Sequence, residues 1–320
     1  MVSMNKLAVN LVQEAIDKKD LLNIDVVKVA GATVVDMGVK VPGSTAAGIY
    51  LAKICMGGLG EVVIADLEYD GVILPSITEF TDHPIEACMA SQLAGWKVSV
   101  GKYFAMGSGP ARVLARKPKK LYEELGYTEE ADEAVLALEA DALPNEDVVK
   151  MVSDATGIKP ENLYFAVAPT NSVAGAVQIS ARIVETAIHK LHSLGFELKT
   201  IKYGWGRCPI SPLHPSSLIM LGRTNDMLLY GGEVTLVVDY EDEEKLKDFV
   251  RRTPSTASKD YGVSLAEKIK EIGMEFLYKV DPEIFAPAVL TVNNVKTGRT
   301  FKSGKINVEI LKKAVLYEEV

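Results

Sequence analysis

The sequence predicts an α+β fold, a mixed α/β chain with mixed sheets and flanking helices in two lobes. Two observations carry this prediction. Runs rich in β-branched residues alternate with amphipathic segments over all 320 residues, as expected for short strands and helices in a globular protein. A strongly charged stretch at 117–132 interrupts this pattern. It places the boundary between a first lobe at 1–120 and a second lobe at 121–320, whose C-terminal segment can pack back on the first.

The individual elements follow from local signals. Apolar residues at helical intervals predict helices, and crowded β-branched residues predict strands. A glycine in "YDG" supplies the positive φ of a turn between two strands. Helices are predicted at 4–18, 45–58, 82–95, 145–157 and 173–194 and from about 242, 263 and 308, and strands in "IDVVKVAGATVVDMGV", "EVVIADLEYDGVILPSITEF", "WKVSVGKYF", "EAVLALEADALP", "LYFAVAP", "ELKTIKYGW", "LIMLG", "DMLLYGGEVTLVVDY" and "PAVLTVNNVKTGRTF".

Two segments resemble each other and point to an internal duplication. Each follows a predicted helix and ends as a strand that runs into a Gly/Pro turn, so a helix-strand-turn unit is repeated if the match is not chance. A true duplication would turn both Gly/Pro turns toward a cleft between the lobes. The matched residues are Gly95 with Gly195, Trp96 with Phe196, Lys102 with Lys202 and Tyr103 with Tyr203.

Composition excludes several classes of function. A net charge of -8 and a pI near 5.2 argue against a nucleic-acid partner, which needs a basic face. Cys55, Cys88 and Cys208 lack the spacing of a redox or zinc site and are expected to be buried thiols in a reducing cytoplasm. No apolar run approaches the roughly 18–20 residues that cross a bilayer, and the N-terminus lacks a signal-peptide pattern. We therefore expect a cytoplasmic protein with no membrane partner.

Motifs of common enzymes do not occur in the sequence. There is no H-E-x-x-H, no G-x-S-x-G, no phosphate-binding loop with the G-x-x-x-x-G-K-[ST] pattern and no strand-linked G-x-G-x-x-G. His189 and His192 lie three residues apart near Glu185, but polar residues on a solvent-exposed helix face explain this spacing better than a metal site does. We therefore predict no metal.

The turn "MGSGPAR" is a candidate anion site. Gly107 and Gly109 allow backbone N–H groups to converge, Ser108 adds a hydroxyl, and the planar fork of Arg112 matches phosphate oxygens. The alternative is a tight turn in which the glycines only supply unusual φ values.

The helix predicted at 173–194 carries a polar stripe. At about 100° per residue, Gln178, Arg182, Glu185 and His189 fall opposite the apolar face. The pattern alone indicates a solvated surface, where an Arg–Glu pair three residues apart contributes only about 0.2–0.5 kcal/mol.

Two longer stretches carry a resemblance to a known family: "APTNSVAGAVQISARIVETAIHKLHSLGFELKTIKYGWGRCPISP" and "KVSVGKYFAMGSGPARVLARKPKKLYEELGY". Over essentially its whole length the sequence closely resembles the methenyltetrahydromethanopterin cyclohydrolases of archaeal methanogenic one-carbon metabolism. The resemblance implies a hydrolase that reversibly opens 5,10-methenyltetrahydromethanopterin to the 5-formyl form, without metal or dissociable cofactor. It also implies a homotrimer whose subunits have two α/β lobes around a deep pocket.

The same resemblance implies the catalytic residues. The family's catalytic glutamate and arginine match Glu185 and Arg182 of "ARIVET", so the polar stripe would line the pocket. The methenyl carbon is already electrophilic, and a carboxylate can take a proton from the water that adds to it. A neighbouring arginine can hold that carboxylate and keep its pKa low enough for it to act as a base.

The substrate that the resemblance implies has a pterin at one end and a phosphate-bearing tail at the other. These imply a flat polar slot and an anion site. The candidates are Gly107, Ser108, Gly109 and Arg112 for the anion, Asn171 and Gln178 for amide contacts to the pterin, and Glu79 and Asp82 for its guanidine group. Two competing functions stay open, namely a non-catalytic pterin carrier that uses the same cleft and a phosphate-ligand transferase built on "GSGPAR".

Overall fold

A computed structural model describes residues 3–316 and 318, and their contacts divide the chain into two units. Unit 1 comprises Met1–Glu61 and Glu86–Gln178, and unit 2 comprises Val62–Ile85 and Ile179–Val320. The boundary predicted at 120/121 therefore falls inside unit 1. The charged stretch that suggested it forms a short helix with exposed lysines and glutamates, so its charges mark a surface of unit 1 and not a lobe boundary.

The described residues form helices and strands throughout, which confirms the mixed α and β content. The helices are α1 Met4–Asp17, α2 Lys19–Leu22, α3 Thr45–Cys55, a π-helix at Ile85–Gln92, α4 Ala111–Ala115, α5 Lys119–Leu125, α6 Glu146–Thr156, α7 Val173–Ser180, α8 Ile183–Ser193, α9 Ser217–Gly231, α10 Glu243–Arg252, α11 Leu265–Ile272, α12 Glu275–Lys279 and α13 Val308–Val315. The strands are β1 Asp25–Val29, β2 Ala32–Asp36, β3 Glu61–Tyr69, β4 Val72–Thr81, β5 Trp96–Val100, β6 Tyr103–Ser108, β7 Ala134–Glu139, β8 Leu163–Ala168, β9 Ile201–Pro209, β10 Glu233–Val238, β11 Val289–Asn294 and β12 Arg299–Gly304.

Unit 1 is a six-stranded mixed sheet covered by helices on both faces. The strand order is β1-β2-β8-β7-β6-β5, in which β2, β8 and β7 run parallel. Successive residues of the central strands are apolar on both sides, as in a sheet buried on two faces. Val35 and Ala166 pack with α1 and α3, whereas Val34 and Phe165 pack with α6. The carboxyl ends of β2, β8 and β7 therefore lie together at one edge of the sheet.

Unit 2 is a second six-stranded mixed sheet, of order β12-β11-β10-β9-β4-β3. Helices α8 and α9 contact strand β9, and α8 also contacts β4 and β10. Residues of these strands that alternate toward the helices are buried, whereas the opposite face carries exposed Phe80, Tyr203 and Trp205. No helix in the described part of the chain is long and apolar enough to cross a membrane.

Three local predictions are wrong. The stretches "LIMLG" and "DMLLYG" were predicted as strands, but they are parts of one helix, α9, which Ser216 caps by accepting a hydrogen bond from Ile219 N–H. Short apolar runs do not distinguish a strand from a buried helix. The single helix predicted at 173–194 is two helices, because the chain turns at 181–182.

The internal similarity is matched by local structure only in its second half. The first segment folds as the antiparallel hairpin β5–β6, while the second has a 3₁₀ turn at Leu198–Thr200 before the single strand β9. Tyr103 and Tyr203 therefore both lie in strands, but the segments that precede them differ.

A buried carboxylate joins α9 to α11. Asp226 has no exposed surface and accepts hydrogen bonds from Ser264 Oγ at 2.8 Å, Leu265 N–H at 2.8 Å and Ala266 N–H at 3.0 Å. It therefore caps the N-terminus of α11 from a neighbouring helix. Burial raises the pKa of Asp226 to about 7, although these hydrogen bonds lower it.

We predict that Asp226 makes stability depend on pH between about 4 and 7. The folded protein holds the Asp226 proton more tightly than the unfolded chain, whose carboxyl keeps an ordinary pKa near 3.8. The stabilising contribution is therefore complete below about pH 4 and is lost as the pH rises through about 7. The free energy of unfolding should fall over this range by an amount on the order of 2–4 kcal/mol.

Urea unfolding at pH 5 and pH 8 measures this effect in the wild type, Asp226→Asn and Asp66→Asn. Asp66 is an exposed strand residue and serves as the matched control. The Asp226→Asn protein should show a flatter pH dependence than the other two. An unchanged dependence in Asp226→Asn would contradict the prediction.

Candidate active site

The turn at 181–182 sets the position of the predicted catalytic residues. Arg182 N–H donates to Ile179 O at 3.0 Å, an i to i−3 bond that tightens the chain after α7. Thr186 N–H and Thr186 Oγ1 both donate to Arg182 O at 2.8 Å. Arg182 is thus the residue that precedes α8, and Glu185 is the third residue of that helix. Both side chains belong to the first turn of α8.

Glu79 holds the N-terminus of α8. Arg182 supplies no side-chain hydrogen bond to this helix end. The Glu79 carboxylate, which has no exposed surface, instead accepts a hydrogen bond from Val184 N–H at 2.7 Å. A carboxylate at a helix N-terminus is stabilised by the unpaired N–H groups and by the helix dipole. The residue considered above only as a pterin ligand therefore positions the first turn of α8.

Two glycines of β9 allow α8 to lie close to the sheet. A Cβ atom on Gly206 would lie 2.5 Å from Ile183 Cγ2, and one on Gly204 would lie 2.8 Å from Val184 Cγ1. Any side chain at these positions would push the first turn of α8 away. The alternating glycines of "YGWGR" are the signal in the sequence for this contact, since glycine in a strand marks close approach of a neighbour.

The far end of α8 is also anchored. Lys190 is buried, and its Nζ donates to Glu283 O at 3.0 Å and also contacts the Glu283 carboxylate. Removing the partner of a buried cation costs several kcal/mol. Helix α8 is therefore fixed at its first turn by Glu79 and near its end by Lys190.

The predicted polar stripe is only partly exposed. Arg182 is 9% exposed, Glu185 7% and Gln178 3%, whereas His189 is an exposed residue. The pattern-based interpretation of a solvated surface is wrong for the first three, because a projection along one regular helix ignores the turn at 181–182. Two buried charged side chains in a single helical turn are costly unless they serve a function or are well paired.

Other reactive groups near α8 are unsuited to nucleophilic catalysis. Burial raises the pKa of the Cys208 thiol well above its usual value, and the charge of Glu79 adds to this effect. Cys208 is therefore a protonated, buried thiol. Elsewhere in the chain, Cys55 and Cys88 are buried as well. No group of three or more His, Cys, Asp or Glu side chains within 3–316 and 318 is arranged to hold a metal ion.

Arg112 has a structural role in unit 1. Its guanidinium is fully buried, with Nε donating to Lys117 O at 2.9 Å and Nη1 to Ser91 O at 3.1 Å. These bonds tie the π-helix to the residues after α4. The planar fork predicted to bind phosphate therefore contacts main-chain carbonyl oxygens.

The glycine turn before Arg112 is more regular than predicted. Gly107 and Ser108 lie in β6 and pair with β7, and Gly109, at φ +93°, donates its N–H to Ser91 O at 2.8 Å. The N–H group of Gly109 is therefore already hydrogen-bonded within the protein and does not point to an anion as predicted. Anion binding by Gly107, Ser108 and Gly109 stays a prediction, and a transferase built on this turn loses its main support.

The amide candidates lie just before α7 and near its end. Asn171 is half-buried in the turn between β8 and α7, and Gln178 is a buried residue near the end of α7. Ser172, not Asn171, caps α7, because its Oγ accepts a hydrogen bond from Gly175 N–H at 3.0 Å. The contact of Asn171 to the pterin stays a prediction.

An acidic group lies beside Asn171 that the sequence pattern did not single out. Thr170 Oγ1 donates to Glu139 Oε1 at 2.5 Å, where the carboxyl ends of β7 and β8 meet. Ligands of parallel sheets bind at such carboxyl ends. Glu139 is the last residue of β7 but lies inside the longer predicted strand "EAVLALEADALP", so the sequence pattern did not mark it as a strand end.

Buried carboxylate and guanidinium groups in one helical turn, on an α+β scaffold, define a candidate acid–base centre of an enzyme. A family model described as Cyclohydrolase (MCH) matches residues 3–315. The methenyltetrahydromethanopterin cyclohydrolase of Methanocaldococcus jannaschii is 47% identical over 324 residues, which cover 100% of both chains. Those of Methanococcoides burtonii and Methanosarcina mazei are each 46% identical over 97% of both chains. The chain belongs to the cyclohydrolase family.

We predict that Glu79→Ala destabilises the protein by about 1–3 kcal/mol, since it leaves the buried Val184 N–H without its acceptor. Glu79→Gln keeps an oxygen for this bond and should lose less. Urea unfolding followed by tryptophan fluorescence gives the free energies. The matched control is Asp82→Ala, which removes an exposed carboxylate just after the same strand. Equal stability of the Glu79→Ala and Asp82→Ala proteins would refute the role of Glu79.

Proposed function

We propose that this protein is a cyclohydrolase that converts 5,10-methenyltetrahydromethanopterin reversibly to 5-formyltetrahydromethanopterin. Membership of the cyclohydrolase family over residues 3–315 supports this substrate, as do relatives of that name that match the full chain. The observation that carries the proposal is the burial of Arg182 and Glu185 in the first turn of α8.

The reaction adds water to a cationic amidinium carbon. A bond forms between the water oxygen and the methenyl carbon, and Glu185 takes one proton from that water. The methenyl carbon bridges the substrate nitrogens N5 and N10. Its bond to N10 then breaks, the electron pair of that bond stays on N10, and N10 receives a proton from the protonated Glu185. Loss of the remaining hydroxyl proton gives the formyl C=O, so one proton is released per turnover. The negative charge of Glu185 also stabilises the cationic substrate before water adds.

Arg182 is assigned the role of partner to the base. Its guanidinium is always charged, and it originates in the same helical turn as Glu185. A neighbouring cation favours the ionised carboxylate, which is the form that accepts a proton. Because the substrate carbon is already electrophilic, the proposed mechanism uses protein groups and water, with no metal or dissociable cofactor.

Substrate binding is proposed to involve Asn171 and Gln178, whose amides can donate to and accept from pterin edges. Glu139, which holds Thr170 beside Asn171, adds a carboxylate of the kind that binds a pterin guanidine group. Gly107, Ser108 and Gly109 remain the candidates for the phosphate-bearing tail. The three buried cysteines suit a cytoplasmic location, which we also propose.

We predict that Glu185→Gln retains substrate binding and loses turnover by at least about 10², because the amide cannot accept the water proton. Loss of absorbance of the methenyl chromophore measures turnover, and a shift of its spectrum without bleaching reports binding. The matched control is Glu197→Gln, an exposed glutamate just beyond α8 that should react like wild type. Near-wild-type bleaching by Glu185→Gln would refute the proposal. A wild-type protein that shifts the chromophore without bleaching it would instead be a pterin carrier.

We further propose that the protein is a homotrimer, as the family resemblance implies. The open face of the unit 2 sheet supports assembly with further copies. Phe80 lies directly opposite Trp205 in the strand register, and the Tyr203 and Trp205 ring centroids are 6.1 Å apart. Each of these rings is more than a third exposed. Aromatic side chains clustered on an open surface are typical of subunit interfaces.

Light scattering after size-exclusion chromatography should give three times the chain mass of 34.7 kDa. Trp205→Ser should lower this mass, since it removes the central ring of the cluster. Phe104→Ser, which removes an exposed ring from unit 1, should not. A wild-type mass of one chain would contradict the trimer, and an intact Trp205→Ser trimer would contradict the use of this face.

A further inference from the structure

A cavity in unit 2 contains a buried cation that no described carboxylate neutralises. Arg223 on α9 is 6% exposed, and its Nη1 has only long hydrogen bonds, to Pro212 O at 3.5 Å and Leu213 O at 3.4 Å. No protein group of the described residues accepts a hydrogen bond from its Nε. Burying a cation without a counter-ion is unfavourable, and here it lowers the pKa of Arg223.

The cavity lined by Arg223 is basic. Lys270 of α11 and Lys313 of α13 also line it, against one carboxylate, that of Glu267. Both lysines and Glu267 are exposed residues at the rim, so the buried positive group inside is Arg223. Three cationic side chains around one small cavity favour the binding of an anion there.

The cavity has room for a small anion. Its volume is about 50 Å³, several times the roughly 10–15 Å³ that one water needs. His214 and four apolar residues, among them Ile219 and Leu316, form the rest of the wall. An arginine fork with two lysines matches the tetrahedral oxygens of phosphate, and the apolar wall suits an organic substituent on it.

We propose that the Arg223 cavity binds a phosphate-class oxyanion, either free phosphate or the phosphate group of an ester. The ligand supplies the acceptor for Arg223 Nε and the counter-charge for three cations. It joins α9, α11 and α13, so its binding stabilises unit 2. This proposal rests on the cavity alone and is independent of the proposed reaction.

Thermal unfolding in a titration with inorganic phosphate, at ionic strength held constant with chloride, tests the proposal. The expected result is a saturable rise in Tm of several degrees at about 100 times Kd. Chloride alone giving the same rise would overturn the proposal. A parallel titration with phenyl phosphate distinguishes the two sources: tighter binding than inorganic phosphate identifies an ester, and equal or weaker binding identifies free phosphate.

Variants locate the site. Arg223→Gln should abolish the phosphate-dependent rise in Tm. Lys313→Gln, which changes only an exposed side chain and should fold, is expected to raise Kd for phosphate about tenfold, the loss of one charge-assisted contact. Lys312→Gln changes the neighbouring lysine of α13, which does not line the cavity, and should bind as wild type. Equal phosphate affinity of the Lys312→Gln and Lys313→Gln proteins would overturn the assignment.

Discussion

A charge-assisted hydrogen bond from Val184 N–H to the Glu79 carboxylate joins strand β4 to the start of α8. The rest of the candidate active site depends on it, because Arg182 and Glu185 flank Val184 in the same turn. A helix start without a side-chain cap of its own would otherwise fray. Since Glu79 lies on β4, which has a strand on each side, it gives this helix end the rigidity of the sheet.

The glycines of β9 make the same arrangement sterically feasible. Gly204 and Gly206 face α8 and have only a hydrogen atom as side chain, so Ile183 and Val184 can pack against the sheet. This close contact restricts the movement of the first turn of α8. Catalysis by a positioned base depends on such rigidity, because the water, the base and the carbon must be held together in a narrow range of distances.

The sequence allowed the fold class and much of the strand and helix pattern to be predicted, because periodicity and turn residues are local. It did not reveal the turn at 181–182, since Ala181 and Arg182 carry no helix-breaking side chain. The strands proposed within α9 failed because short apolar runs fit both structures. The role of Glu79 was out of reach for another reason: its partner Val184 lies 105 residues away, and only strand pairing brings them together.

Helical projection alone placed Arg182 and Glu185 on a solvated face, and the resemblance to a family was needed to select them. Both side chains are buried, whereas His189 is exposed, and their catalytic role stays a prediction. Arg112 shows the opposite case. Its motif suggested an anion ligand, but its guanidinium holds the backbone around the π-helix. A motif specifies which groups are present, and the fold decides what they contact.

The proposed reaction requires that Glu185 activates the water that adds to the substrate. A crystal structure of the Glu185→Gln protein with bound 5,10-methenyltetrahydromethanopterin can show this water. We expect an ordered water within hydrogen-bond distance of the residue 185 carboxamide, about 2.6–3.2 Å, and about 3–3.5 Å from the methenyl carbon. A bound substrate whose methenyl carbon is out of reach of residue 185, with another carboxylate facing it, would refute the role of Glu185.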